Sequence, residues 1–259
     1  MGANDQDAPA SAPQTRADTL TAVQRERAWP NVKPRNAATL IVLDTSGAKP
    51  TVLMGKRHAA HKFMPGKFVF PGGRIEEGDR RMASLAELSP IVQEKRLKRR
   101  VRPTPSRPRA LALAAIRETF EETGLLLGRE NAAGADPLSK APAGVWRAFA
   151  GHGITPDLSQ VHFIARAITP PRRPKRFDTT FFAIDAAAIA HRIDGVVTPD
   201  AELVELVWTP LRAARDLDLP HITRVVLEEL EIRLADGLRD DAPTPFYYEI
   251  GRKWRREDL

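Results

Sequence analysis

Apolar and polar positions along the chain alternate with two different periods, and the change between them outlines a fold. Ala37-Ala38-Thr39-Leu40-Ile41-Val42-Leu43 is a strand by its aliphatic and β-branched content. Asp44-Thr45-Ser46-Gly47 is a turn, and Thr51-Val52-Leu53-Met54-Gly55-Lys56-Arg57 returns as a second strand, which makes a hairpin. Residues 58–66 read as a loop, and Lys67–Phe70 as a short strand ending at Pro71-Gly72-Gly73. Residues 74–79 are a polar turn. Ala110–Thr123 is rich in Ala and Leu and predicts a helix, with Gly124 placed to end it.

Beyond a loop over Asn131–Pro142, a short helix is expected at Val145–Gly151. Strands are expected at Val161–Ile168, Thr179–Ile184 and Glu202–Trp208, with an exposed turn at Pro170–Pro174. Ile222, Val225, Val226, Leu230 and Leu234 recur at helical spacing and predict an amphipathic helix over 221–235. Pro245–Ile250 reads as an extended segment, and Trp254 onward has no assignment. Strands on both sides of a long helix, with another helix near the end, predict an α/β sandwich with a mixed sheet.

Two stretches fall outside this pattern. Residues 1–35 are polar, rich in Ala, Pro, Asp and Arg, and read as a disordered arm with a turn of helix near Thr21–Ala28. The remainder, 36–259, reads as a single domain. Residues 80–109 read as an excursion from it. Within that excursion Ser89-Pro90 looks like an N-cap and first-turn proline opening a basic helix to about Arg100. A removable excursion predicts that deleting 85–105 leaves the fold intact.

Composition narrows the function. The chain has 259 residues, 42% hydrophobic and 28% charged, with no apolar run long enough to span a bilayer. It contains no cysteine, which excludes disulfides, thiolate catalysis and zinc–thiolate sites. The first residues show neither a secretory signal nor a myristoylation pattern, so a cytoplasmic location is expected. The net charge of +7 points to an anionic partner, yet Lys95–Arg109 alone carries eight basic residues and no acid. The rest of the chain is close to neutral.

The chemistry concentrates in Arg117-Glu118-Thr119-Phe120-Glu121-Glu122-Thr123-Gly124-Leu125. Glu118, Glu121 and Glu122 fall at i, i+3 and i+4 of the helix and share one face. Their repulsion weakens an isolated helix by a few tenths of a kcal/mol per pair. A hard divalent cation, which takes oxygen ligands, converts that cost into a binding site.

Taken with Phe70-Pro71-Gly72-Gly73, this segment resembles the signature of the Nudix hydrolases. In that family a Gly is followed after five residues by Glu, and after seven more by Arg-Glu-x-x-Glu-Glu-x-Gly. Here Gly73 leads to Asp79, and Arg117–Leu125 supplies the second half. Glu202 and Glu205 before Trp208-Thr209-Pro210 also match a family habit. The resemblance covers about residues 36–235. Asp79 stands for the usual Glu and Thr119 for an aliphatic residue. The largest departure is length, with 37 residues between Asp79 and Arg117. Loop length is thermodynamically cheap, about 0.6 kcal/mol per doubling, so both halves remain free to meet. A branch of the family that includes coenzyme A diphosphatases is known for such an interrupted box, and the chain looks like a member of it.

The resemblance implies a Nudix-type α/β/α sandwich with a helical insertion inside the box, and an enzyme that hydrolyses a diphosphate bridge. It implies Mg²⁺ or Mn²⁺ held by Glu118 and Glu122, with Glu121 joining a second ion and the Gly72 carbonyl completing the shell. Arg117 would orient a glutamate. The general base stays open among Glu121, Glu202 and Glu205. Lys56, Arg57, Phe70 and Gly73 are candidate substrate contacts. The expected substrate is a nucleoside diphosphate linked to another moiety, coenzyme A or acyl-CoA leading over ADP-ribose, dinucleoside polyphosphates and capped RNA. The competing reading is a non-catalytic ligand- or RNA-binding module, favoured only by the basic insertion; no membrane partner is expected, and a homodimer stays open.

Overall fold

The computed structural model describes residues 15–61, 64–100, 102–132 and 139–259. The expected arm at residues 1–14 lies outside them. Among the described residues a nine-stranded mixed sheet carries the fold. Its main strands are β1 (Arg35–Asp44), β2 (Thr51–Arg57), β3 (Phe68–Val69) and β4 (Gly72–Arg74). After two short ribbons built from β5 (Leu125–Leu127), β6 (Arg129–Glu130), β7 (Ile154–Thr155) and, later, β10 (Ile189–Arg192), the sheet continues with β8 (His162–Ile168) and β9 (Phe177–Asp185). It is completed by β11 (Leu203–Pro210), β12 (Pro245–Ile250) and β13 (Lys253–Asp258). The order is β11-β2-β1-β9-β8-β12-β13, with β3 on β2 and β4 on β1. β1 runs parallel to β9 and β12 parallel to β8, while the other pairs in this sheet are antiparallel.

Helices cover both faces. β1 shows why: Leu40 and Val42 enter one core with Leu111, Leu113 and Ile116, while Ile41 and Leu43 enter the other with Val225, Val226 and Leu230. A strand buried on both sides must be apolar at consecutive positions rather than alternate ones. The first core belongs to α4 (Arg107–Thr123), the second to α6 (His221–Ala235). The expected α/β sandwich with a mixed sheet is the fold observed. Among the described residues no helix is long and apolar enough to cross a membrane.

The sequence reading needs correction in five places. Gly72-Gly73 is not a turn but part of β4, with Ala38 opposite Gly73 and Thr39 opposite Gly72. The polar turn expected over 74–79 gives way at Glu77 to a short helix, α2 (Glu77–Arg81). The segment from Trp254 is the edge strand β13.

The N-terminal arm is ordered from Thr15, and its helix lies earlier than expected, at α1 (Arg16–Ala22). Thr15 and Asp18 close a capping box, which satisfies backbone donors at the start of the helix. Leu20 is buried in the α6-side core, Arg16 pairs with Glu228 at 2.9 Å, and Arg27 makes a bidentate pair with Glu249 at 2.8 and 2.7 Å. A seven-residue helix with one apolar anchor is too short to show periodicity, so its order is decided by what it docks on.

The insertion is the larger revision. Ser89 does cap α3 (Pro90–Leu97), as read from the sequence. Yet Met82, Leu88 and Val92 are buried in the α4-side core, and the basic residues Lys95 and Arg96 are buried too. Lys95 Nζ donates to the carbonyls of Asp240 (2.6 Å) and Ala242 (2.5 Å). Arg96 donates to Thr180 Oγ1 and faces Asp178 at 3.7 Å. Arg100 reaches Asp178 at 2.7 Å, and Arg166 grips it with two hydrogen bonds of 2.8 Å. Burial opposes the Asp178 charge, but Arg166, Arg96 and Arg100 together hold its carboxyl below the ordinary range. Lys95, Arg96 and Arg100 are therefore built into the fold rather than solvated, while Lys98, Arg99 and Arg102 stay exposed. Deleting 85–105 is expected to abolish cooperative unfolding by circular dichroism. Asp178→Asn, which strands three arginines, should cost about 3–5 kcal/mol in urea titration.

Candidate active site

The two halves of the box meet at a buried ion pair. Asp79, 0% exposed, sits in α2, and Arg117, 3% exposed, in α4. Arg117 Nε donates to Asp79 Oδ1 at 2.9 Å and its Nη2 to Oδ2 at 3.2 Å. The same carboxylate accepts from the Glu76 backbone at 2.7 Å, capping α2, and from the Trp146 indole at 3.2 Å. Trp146 comes from α5 (Trp146–Gly151) and packs on Phe149, which meets Phe120 of α4 edge-on. Burial opposes the Arg117 charge, but the hydrogen bonds and charge of Asp79, then Glu118 and Glu121, hold it above its ordinary value. Its remaining donors go to the Arg74 carbonyl at 2.8 Å and to Glu121 Oε2 at 2.5 Å, with Glu118 Oε1 at 3.1 Å.

Arg117 thereby sorts the three glutamates. Glu118 and Glu122 line a cleft of about 320 Å³ together with Gly72, Gly73, Arg57, Phe70 and Glu202. Glu121 does not line it; drawn to Arg117, it borders a separate hollow by Glu76 and Trp146. Gly73 is required by proximity, because a Cβ there would stand 2.2 Å from Glu118 Oε1. Gly72 presents its N–H to Glu122 Oε2 at 3.3 Å. Gly124, at φ +76°, ends α4 in the left-handed conformation that favours glycine.

The carboxyls are held in an unfavourable state. Burial raises Glu118 to about 7, against the pull of Arg117 and with help from Glu121. Burial, then the charges of Glu202 and Glu118, push Glu122 well above the ordinary carboxyl value despite Arg57 and the Gly72 hydrogen bond. Burial likewise raises Glu121. Among the described residues no three acidic or histidine side chains stand as a ready-made metal cluster. The donor chemistry nevertheless fits a hard divalent cation. Buried carboxylate oxygens that repel one another are the partners such an ion prefers, and its charge offsets the cost of ionising them.

The remaining expected residues divide by strand register. β11 lies against β2 with Leu203 opposite Arg57 and Glu205 opposite Lys56. Arg57 consequently holds Glu202 at 2.9 Å in the cleft, and also contacts the His61 ring at 3.0 Å. Glu205 pairs with Lys56 at 3.7 Å, and neither of these two lines the cleft. Lys56 instead lies 5.8 Å from the Phe68 ring centroid. Phe70 is both core and cleft wall. Sequence reading missed the wall made by Thr39, Lys175, Phe177, Thr179 and Ile222. Of these, Lys175 alone carried a signal, in the basic turn before β9.

No family model matches the chain. The structure of a Nudix hydrolase from Alicyclobacillus acidocaldarius is 30% identical, covering 79% of this chain and 96% of that one, with a TM-score of 0.58. A Nudix hydrolase from M. smegmatis, RenU, is 17% identical over 79% of this chain and 90% of that one, with a TM-score of 0.39. The Nudix domain of Shewanella oneidensis NrtR, solved with ADP ribose, is 14% identical over 85% and 99%, with a TM-score of 0.44.

The raised carboxyls give a stability prediction. A carboxyl whose folded value lies above its unfolded one destabilises the fold once pH rises past the unfolded value, and the cost grows until the folded value is passed. With a chelator present, Glu122→Gln should therefore raise Tm at pH 8. A gain of about 1 kcal/mol corresponds to about 2–4 °C for a chain of this size. The gain should shrink toward pH 5 when followed by calorimetry.

Proposed function

Because the chain belongs to the Nudix hydrolase family, we propose that this hydrolase is a Mg²⁺- or Mn²⁺-dependent diphosphatase acting on a nucleoside diphosphate linked to another moiety. The convergence of Glu118, Glu122 and Glu202 on a single cleft beside Gly72-Gly73 carries the reading. Glu118 and Glu122 would hold the cation. When bound, it supplies charge neutralisation at the phosphoryl oxygens and makes a water easier to deprotonate. Arg117 acts as a positioning residue: tied to Asp79, it turns Glu118 toward the cleft and keeps Glu121 out of it. Glu121 stays a candidate ligand for a second ion only if it leaves Arg117. The Gly72 carbonyl remains part of the proposed shell.

Glu202 is the favoured general base. It faces the cleft, its orientation is set by Arg57, and its side chain is 45% exposed, so water reaches it. Glu205 is turned to Lys56 outside the cleft, and Glu121 is engaged by Arg117. Arg57 and Phe70 are placed to meet substrate; Lys56 is not. The alternative of a nucleic-acid module drew on the basic insertion, and three cations of that run, Lys95, Arg96 and Arg100, are engaged by Asp178 and backbone carbonyls. Coenzyme A or acyl-CoA remains the leading substrate on the strength of the interrupted box, ahead of ADP-ribose, dinucleoside polyphosphates and capped RNA. A cytoplasmic location is part of this proposal.

A screen of diphosphate-bridged substrates with Mg²⁺ and Mn²⁺, both products identified by mass, tests the proposal; turnover of none sinks it. Glu118→Gln and Glu122→Gln should each lower kcat about 100-fold or more with unchanged circular dichroism. Glu202→Gln should lose at least about tenfold in kcat while Glu205→Gln stays near wild type. The reverse result would move the base to Glu205.

A further inference from the structure

Beside the carboxylate cleft lies a second hollow of about 710 Å³, lined by Lys33, Arg35, Arg74, Lys175 and Arg176 with Val32, Pro34, Pro174 and Phe177. It contains five cations and no acid. Arg74, Lys175 and Phe177 also line the cleft, so the two spaces adjoin. The cations arrive from three places in the chain: the segment before β1, the end of β4, and the turn before β9.

Most of these charges are not needed by the protein itself. Arg176 is engaged with Asn31 Oδ1 and with the carbonyls of Val32 (2.7 Å) and Thr169 (3.1 Å), which ties the first and third segments together. Among the described residues no ion-pair partner is found for Lys33, Arg35, Arg74 or Lys175. Lys33, Arg35, Arg74 and Lys175 are all exposed. Four like charges gathered on one wall repel one another, in contrast to Arg96, Arg100 and Arg166, which surround an aspartate. Arg35 and Arg74 lie on adjacent strands: Arg74 is opposite Ala37, and Arg35 is the first residue of β1, on the same strand as Ala37. The backbone there is fixed by the ladder, so the guanidinium groups are presented by rigid elements rather than by a free tail.

We propose that this groove is a subsite for a phosphate that the substrate carries beyond its diphosphate bridge. The inference rests on the diphosphatase reading, since that reading places the bridge itself at Glu118 and Glu122. An acid-free cationic wall adjoining the cleft favours a dianionic group over a neutral one, and guanidinium forks match phosphate geometry. The groove is a bounded hollow flanked by prolines and Phe177, not a long basic stripe, which favours a small phosphorylated moiety over a nucleic-acid strand.

Matched substrates decide it. NADPH against NADH, and coenzyme A against its 3′-dephospho form, differ by one phosphomonoester; diadenosine tetraphosphate against the diphosphate tests a longer phosphate chain instead. The expected result is at least a tenfold higher kcat/KM for the more phosphorylated member of one pair, arising in KM. Lys33→Gln/Arg35→Gln should erase that preference and leave the less phosphorylated member unchanged. Which pair responds tells a monoester from a longer chain. Equal kcat/KM within every pair, or a preference that survives the double substitution, overturns the subsite. Binding of the same pairs by calorimetry in chelator decides the subsite if no substrate is turned over. A binding preference lost in the double variant supports the groove even though the diphosphatase reading has failed; no preference in binding overturns the groove. Preference for a single-stranded oligonucleotide over every small phosphate compound likewise overturns it.

Discussion

The carboxylate cleft depends on one buried pair, Arg117 with Asp79. A buried ion pair is costly unless its hydrogen bonds are satisfied, and here Asp79 accepts from Arg117, the Glu76 backbone and Trp146. That carboxylate therefore does three jobs: it caps α2, seats Trp146, and fixes the guanidinium from which Glu118 and Glu121 take their directions. An aspartate in place of the longer glutamate is accommodated because α2 brings its backbone close to α4. The chain between the halves then has to leave and return, and it does so by packing Met82, Leu88 and Val92 into the same core that α4 fills.

Charge is distributed on two different principles in this molecule. In the insertion, lysine and arginine are buried and matched to Asp178, Thr180 and carbonyl oxygens, where they join segments distant in sequence. Around the cleft the balance is inverted. Glu118, Glu121 and Glu122 have raised carboxyls within the fold, and cations without acidic partners line the adjoining groove. Both arrangements hold charge at a cost to the folded chain, but only the first is compensated internally. Uncompensated charge beside a cleft is what a ligand of opposite sign can relieve.

Much of this was legible from the residues. The 3.6-residue spacing of Ile222, Val225, Val226 and Leu230 placed α6, and Thr51–Arg57 was read with the bounds it has. The Arg-Glu-x-x-Glu-Glu spacing marked a helical face that could hold a cation, because i, i+3 and i+4 are neighbours on any helix. What failed shares a cause. Gly72-Gly73 looks like a turn in isolation, yet its backbone completes a ladder with β1, and α1 has a single buried leucine and packs on β13 and α6, near the other end of the chain.

Local spacing by itself marked the longer strands and helices and the carboxylate face, since these follow from helix and strand geometry within a few residues. Tertiary structure alone decided which glutamates share the cleft. Glu118 and Glu122 were turned into it with Glu202, while Glu121 was held back by an arginine and Glu205 by a lysine on the neighbouring strand. It also decided which basic residues stay available: Lys95, Arg96 and Arg100 of the conspicuous run were drawn into packing, and scattered cations at 33, 35, 74 and 175 were gathered. The physical reason is the range of the forces. Periodicity is set by bonded neighbours, whereas the company a charge keeps is set by whichever distant segments the sheet brings beside it.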